Sequence, residues 1–200
     1  MTTARLEAFS DAVIAILITI LVLELEIPHE PQLEALRDLL PVFLSYVLSF
    51  IYLGIYWNNH HHMMVMTERV NGRILWANLH LLFWLSLIPF TTGWMGQNDF
   101  AALPTAVYGV DLLLAAIAYF ILQRAIIDEE GPDSVLAGAM GRDLKGKVSP
   151  VLYLVAVPLS FVSPWIGLAT YVLVALLWLV PDRRIESAVT ESRGGRDGRR

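Results

Sequence analysis

The chain is predicted to be an all-α, polytopic membrane protein with six transmembrane helices in one unit. Three observations predict it. Apolar residues make up 56% of the 200 residues and charged residues only 16%, where a soluble domain carries about 25% charged. The apolar residues fall in runs of roughly the 20 residues that a helix needs to cross about 30 Å of hydrocarbon. The basic residues fall almost entirely on one side of the resulting topology. This composition excludes a soluble enzyme, a disordered chain and a nucleic-acid binder. The absence of Cys excludes a disulfide scaffold.

The six runs are, in order, about 6–27, 39–59, 74–94, 103–127, 148–163 and 165–180. The first is not a signal peptide, because Glu7, Ser10 and Asp11 interrupt its start and no Ala-x-Ala site follows it. The 28–41 stretch is an outer loop with room for a short interfacial helix. Pro89 and Pro158 are expected to kink or end their helices. The 128–147 stretch is the only sizeable inner loop, with Gly131-Pro132 as a turn and space for a short helix after it. The last two runs together are too long for one span. Pro164 disfavours helix in the residue before it, so a hairpin of two spans is expected. The six-helix domain occupies residues 1–182, and the Gly-rich, charged segment 183–200 is an expected disordered cytoplasmic tail.

Six spans place both termini on one side, and Lys and Arg choose the side. Of the 14 basic residues, only Arg37 falls in an odd-numbered loop. Both termini are therefore expected to be cytoplasmic.

The first helix carries the polar information. At 100° per residue, Phe9, Ile16 and Leu23 fall on one line, with Thr19 and Ile20 about 60° and 40° to either side. Arg5 shares that direction at the inner end, and Glu24 and Glu26 flank it at the outer end. Asp11 points about 140° from Ile16 and Ser10 about 120° away on the other flank. An ionisable group in a span is costly unless it is paired or wet. Asp11 is therefore expected to bond donors on the second and third spans: Asn58, His60, His61, His62, Trp76, Asn78 or His80. The opposite stripe is then free, and in an oligomer it can face a central pore. The three adjacent histidines diverge on a helix and have no Cys partner. Hydrogen bonding, not metal binding, is their expected role. Asp111 in the fourth span is a second intramembrane carboxylate, expected to be hydrogen-bonded.

Segments in the same order carry a family resemblance. Arg5-Leu6-Glu7-Ala8-Phe9-Ser10-Asp11 matches the Arg-x-x-x-Phe-Ser-Asp motif that opens the first helix in the transmembrane-protein-175 family. Val22-Leu23-Glu24-Leu25-Glu26-Ile27-Pro28, Gly54-Ile55-Tyr56-Trp57-Asn58-Asn59-His60-His61-His62 and Ile74-Leu75-Trp76-Ala77-Asn78-Leu79-His80 resemble its bacterial members. The resemblance spans about residues 4–187. Ala12 stands where the bacterial motif often has Gly.

The resemblance implies a potassium-permeable channel in a bacterial plasma membrane. It would be a homotetramer of six-helix subunits, with no cofactor beyond the permeant potassium ions. First helices would line the pore. The family's narrowest point lands on Ile16, its polar layer on Thr19, and further apolar pore positions on Ile20 and Leu23. Four Ile16 side chains would close the pore by dewetting, and Thr19 would favour potassium over sodium. Glu24 and Glu26 would form an acidic outer mouth. The sequence has no Thr-Val-Gly-Tyr-Gly filter, no Arg-rich voltage sensor, no phosphate loop and no nucleophile elbow. The competing reading is a proton-coupled transporter using Asp11, Asp111 and His80, with Thr19 on the substrate. It lacks a visible repeat or a broken helix.

Overall fold

The structure, a computed structural model, describes residues 2–28, 31–140 and 144–179. The expected tail at 183–200 lies outside them. The described residues form α1 (Thr3–Leu23), α2 (Leu33–Asp38), α3 (Leu40–Val65), α4 (Gly72–Gln97), α5 (Ala102–Glu130), α6 (Val135–Met140), α7 (Leu144–Val162) and α8 (Pro164–Leu179). Five of these helices, α1, α3, α4, α5 and α7, are long and apolar enough to cross a membrane, and α8 is a shorter apolar helix of 16 residues. The two short helices α2 and α6 sit where the outer and inner loops had room for them.

Several helix ends differ from the expectation. α1 stops at Leu23, so Glu24 is its cap and Glu26 lies beyond it in irregular chain. Two carboxylates at a helix C-terminus oppose the macrodipole, and Pro28 disfavours helix at Ile27. Pro89 and Pro158 end nothing: both lie inside continuous helices. The break between α7 and α8 falls at Ser163, as the hairpin required. α4 begins at Asn71, whose side chain accepts from the Ile74 N–H at 2.9 Å. Its other end turns tightly into α5 through Asp99 and Phe100, both at positive φ (49° and 56°). The buried Phe100 ring, packed 5.7 Å from the Trp165 ring centroid, holds that backbone in place.

α5 is the central helix and packs on α4, α7 and α8, while α3 packs on α4 and α8. The interior between them is polar as well as apolar. Tyr52 donates to the Tyr171 carbonyl at 2.6 Å, Tyr153 to the Tyr52 hydroxyl at 3.2 Å and Tyr171 to the Thr105 carbonyl at 3.2 Å. Ser49 joins Thr92 and Tyr108 at 2.6 and 3.0 Å. Bonds of this kind tie helices together where lipid offers no hydrophobic drive.

Close helix approach depends on small residues. A Cβ on Gly109 of α5 would overlap the Tyr171 hydroxyl and ring edge of α8. That ring is fully buried and held at its hydroxyl, so it has nowhere to move. Gly109→Ala is expected to destabilise the protein by about 1–3 kcal/mol, the usual cost of overpacking. Thermal unfolding in detergent measures it, with Gly54→Ala, which meets no neighbour, as the reference.

α1 lies on one flank of the bundle, against α3 and α4. Its contact stripe is Leu6, Ser10, Ile14, Leu17 and Leu21, at helical spacing and buried.

Candidate functional site

The face of α1 opposite that contact stripe is exposed in the single chain. Ile16 is 57% and Leu23 77% exposed, and Phe9, Thr19 and Ile20 are exposed beside them. Thr19 donates its hydroxyl proton to the Ile16 carbonyl at 2.7 Å. A hydroxyl has one proton and two lone pairs. With the proton committed to the backbone, the Thr19 oxygen presents acceptor capacity to whatever lies outside the helix.

At the outer end, Glu24 is half-buried and its carboxylate lies against Gly93 of α4, a position that a Cβ would fill. Glu26 is exposed. An open groove of about 520 Å³ runs beside the stripe, lined by Leu17, Ile20 and Glu24 on one wall and Ser86, Phe90 and Gly93 on the other.

The inner half of α1 is fastened by a directional chain of hydrogen bonds. His60 Nε2 meets Asn78 Oδ1 at 2.8 Å, Asn78 Nδ2 donates to Ser10 Oγ at 2.9 Å, and Ser10 donates to the Leu6 carbonyl at 2.9 Å. Asn78 Oδ1 can only accept, so His60 carries its proton on Nε2. All three side chains are fully buried. One turn nearer the N-terminus, Glu7 Oε1 pairs with His61 Nδ1 at 2.6 Å, and the His61 ring stacks on Trp57.

Asp11 departs from the expectation. Its Oδ1 is buried and makes no hydrogen bond, and no ion pair reaches it among the described residues. The α4 contact is centred on Ser10, and the next residue is turned 100° onward, away from the Asn78 amide. The other expected donors are also elsewhere. Trp76 and His80 sit on the exposed face of α4, about 160° around the helix from Asn78. There His80 accepts from Trp84 Nε1 at 2.9 Å. Asn58 is exposed, and the His62 ring packs against that of His61, 5.7 Å between centroids. Arg5 is exposed and forms no ion pair among the described residues.

Asp111 is buried in α5 and accepts from Thr91 Oγ1 at 3.0 Å. It has no hydrogen bond to Asp11 or His80, so the three groups of the transporter reading do not form a relay. The Glu7–His61 pair was not singled out from sequence. Its only signal was an acid in the first turns of one span and a His at the inner end of the next.

Comparison with known proteins agrees with this architecture. Residues 5–89 match the family model described as endosomal/lysosomal potassium channel TMEM175. A protein of Chryseobacterium sp. named as a potassium channel is 52% identical over 192 residues, covering 96% of this chain and all of that protein. A potassium channel of Chamaesiphon minutus is 31% identical over 189 residues, covering 87% of this chain and 92% of its own length. The crystal structure of a lysosomal potassium-selective channel TMEM175 homolog from Chamaesiphon minutus superposes with a TM-score of 0.77 at 30% identity. That match covers 89% of this chain and 96% of that one.

Proposed function

This chain belongs to the TMEM175 family of potassium channels, multi-pass membrane proteins and not enzymes, and from that premise we propose that four copies form a potassium-selective pore lined by α1. The observation that carries the reading is the exposed stripe of α1. Apolar side chains surround one hydroxyl whose proton is already committed. A stripe of this kind is unremarkable against lipid, but α1 is also the helix with the motif and the polar fastening on its other face. That arrangement holds one face rigidly so that the opposite face meets the axis in register. The groove between α1 and α4 gives a neighbouring subunit a seat beside the stripe.

In this reading Ile16 forms the constriction. Four apolar side chains offer no ligands to replace an ion's water, so a narrow ring excludes ions by dewetting. Ile20 and Leu23 continue the apolar wall outward. The Thr19 oxygens form a polar ring one turn from the constriction and can coordinate a partly dehydrated cation. Potassium sheds water more readily than sodium, so the ring favours potassium. Exposed Glu26 contributes negative potential at the outer mouth, and Glu24 does so from its seat on Gly93. α8 supplies the sixth crossing, and both termini face the cytoplasm, the side that holds nearly all the basic residues.

Purified protein in a planar bilayer with potassium on one side and sodium on the other tests the proposal. Unitary currents with a reversal potential displaced toward potassium support it. Gradient-coupled uptake without unitary steps would replace the channel by a transporter.

Thr19→Val removes the hydroxyl and keeps the shape. The reversal potential under the same bi-ionic conditions should move toward zero, with tetramer yield unchanged. A reversal potential identical to that of the parent channel would put selectivity elsewhere on α1.

A further inference from the structure

We propose that the cleft between α5, α6 and α7 is a binding site for one anionic phospholipid, with its phosphate on Arg124 and Lys147. The cleft has a volume of about 310 Å³. Phe120, Arg124 and Ile127 of α5 form one wall, Pro132 and Ala137 the rim, and Lys147 of α7 the other side. It opens at the end of the bundle that holds the N-terminus, since α5 ends there and α7 begins there.

The two charged residues that line this cleft, Arg124 and Lys147, are both basic. Arg124 and Lys147 are exposed and neither forms an ion pair among the described residues. Asp133 follows Pro132 at the exposed edge but does not line the cleft, and the three acidic residues at the end of α5 are engaged on another side. Asp128, one turn after Arg124, pairs with Arg73 at 3.1 Å. Glu130 accepts from the backbone N–H groups of Glu68 and Arg69, and Glu129 from the Asn71 side chain. All three carboxylates are thus held at the α3–α4 connection. Lys147 sits in the first turn of α7, where a cation opposes the helix dipole and the N–H groups lack intrahelical acceptors. An anion beside Lys147 relieves both.

The apolar part selects a lipid over a free anion. The Arg124 guanidinium lies over the Phe120 ring, 5.0 Å from its centroid. Arg124, Phe120 and Ala116 follow one another at four-residue spacing, so the wall descends about 12 Å from the charge toward the hydrocarbon. Ala116, Tyr119 and Gly146 are shared with a deeper cavity of about 40 Å³ lined by Tyr52, Ile55, Tyr56 and Trp178. Positive rim, aromatic shoulder and apolar depth match headgroup, glycerol and acyl chain in that order. Basic pockets between spans take anionic headgroups in this way.

Native mass spectrometry of the full-length protein in detergent tests the site, with phosphatidylglycerol and phosphatidylcholine of identical chains as probes. Phosphatidylglycerol should be retained in preference to phosphatidylcholine. Arg124→Gln with Lys147→Gln should weaken phosphatidylglycerol retention about thirtyfold, and Arg124→Lys with Lys147→Arg should restore most of it. Ala116→Phe, which narrows the cleft and leaves both charges, should also reduce retention. Equal retention of the two lipids, or full retention in the Gln pair, overturns the proposal. So does displacement of the lipid by glycerol phosphate at lipid-like concentration, which would make this a site for a free phosphate. The wild-type comparisons decide the matter even if a variant fails to fold. None of these readouts is a current, so the result is independent of the pore reading.

Discussion

Ile16→Asn should raise single-channel conductance and weaken the preference for potassium. Its side chain is 57% exposed in the subunit, so the substitution leaves subunit packing alone and acts, in the proposed tetramer, where four copies would meet. Asparagine gives the ring donors and acceptors that keep water in the constriction. The barrier to a dehydrating ion then falls, and relief of about 1.4 kcal/mol is enough for about a tenfold gain in flux. The ions that now pass keep more of their water and are discriminated less, because fewer of them bind the Thr19 ring directly. Bilayer recording of variant and parent at matched abundance checks both effects. Unchanged conductance would remove Ile16 from the constriction and move the gate along the stripe toward Ile20 or Leu23.

The second large effect is expected at Asn78. Asn78→Leu removes the middle of the chain from His60 to Ser10. It leaves a buried imidazole N–H without an acceptor and strips Ser10 of its donor. Each stranded buried group costs about 1–3 kcal/mol, so the unfolding temperature should drop by on the order of 10 °C. Tetramer yield should fall with it, since this chain sets the rotation of α1 about its own axis. Selectivity in the surviving channels should be unchanged, because Asn78 does not touch the stripe and only subunits whose α1 keeps its register assemble. Asp11→Ala should cost less, as its buried Oδ1 has no hydrogen bond to lose. Size-exclusion profiles and thermal unfolding of the two variants side by side make the comparison. A stable Asn78→Leu tetramer with a collapsed Asp11→Ala tetramer would reverse the assignment and place the donors for Asp11 on another subunit.

The Ile16 stripe is legible from helical periodicity, because α1 is one regular helix through Leu23 and angles accumulate without error along it. The network is not legible in the same way. Sequence reasoning ranks residues by the cost of burying them, which puts a carboxylate ahead of a hydroxyl. The bundle instead buries Ser10 and turns Asp11 to the flank. Trp76 and His80 fall within two residues of Asn78 in the chain, yet they lie on the other side of α4. Helix 100° steps separate neighbours in sequence, and only the side on which α1 docks decides which of them count.

Composition, run length and the placement of basic residues determine that this chain is a bundle of membrane helices. Lipid leaves the backbone few other ways to satisfy its hydrogen bonds, so hydropathy alone reaches that conclusion. The first-helix stripe and the α7–α8 break follow equally from local rules of periodicity and proline geometry. Tertiary structure alone decides that Ser10, Asn78 and His60 form the fastening of α1, that Glu24 rests on Gly93, and that Arg124 and Lys147 share one cleft. These depend on the crossing positions of helices far apart in sequence. Such positions are set by which small residues let backbones approach, as at Gly109 and Tyr171, and no single helix contains that information.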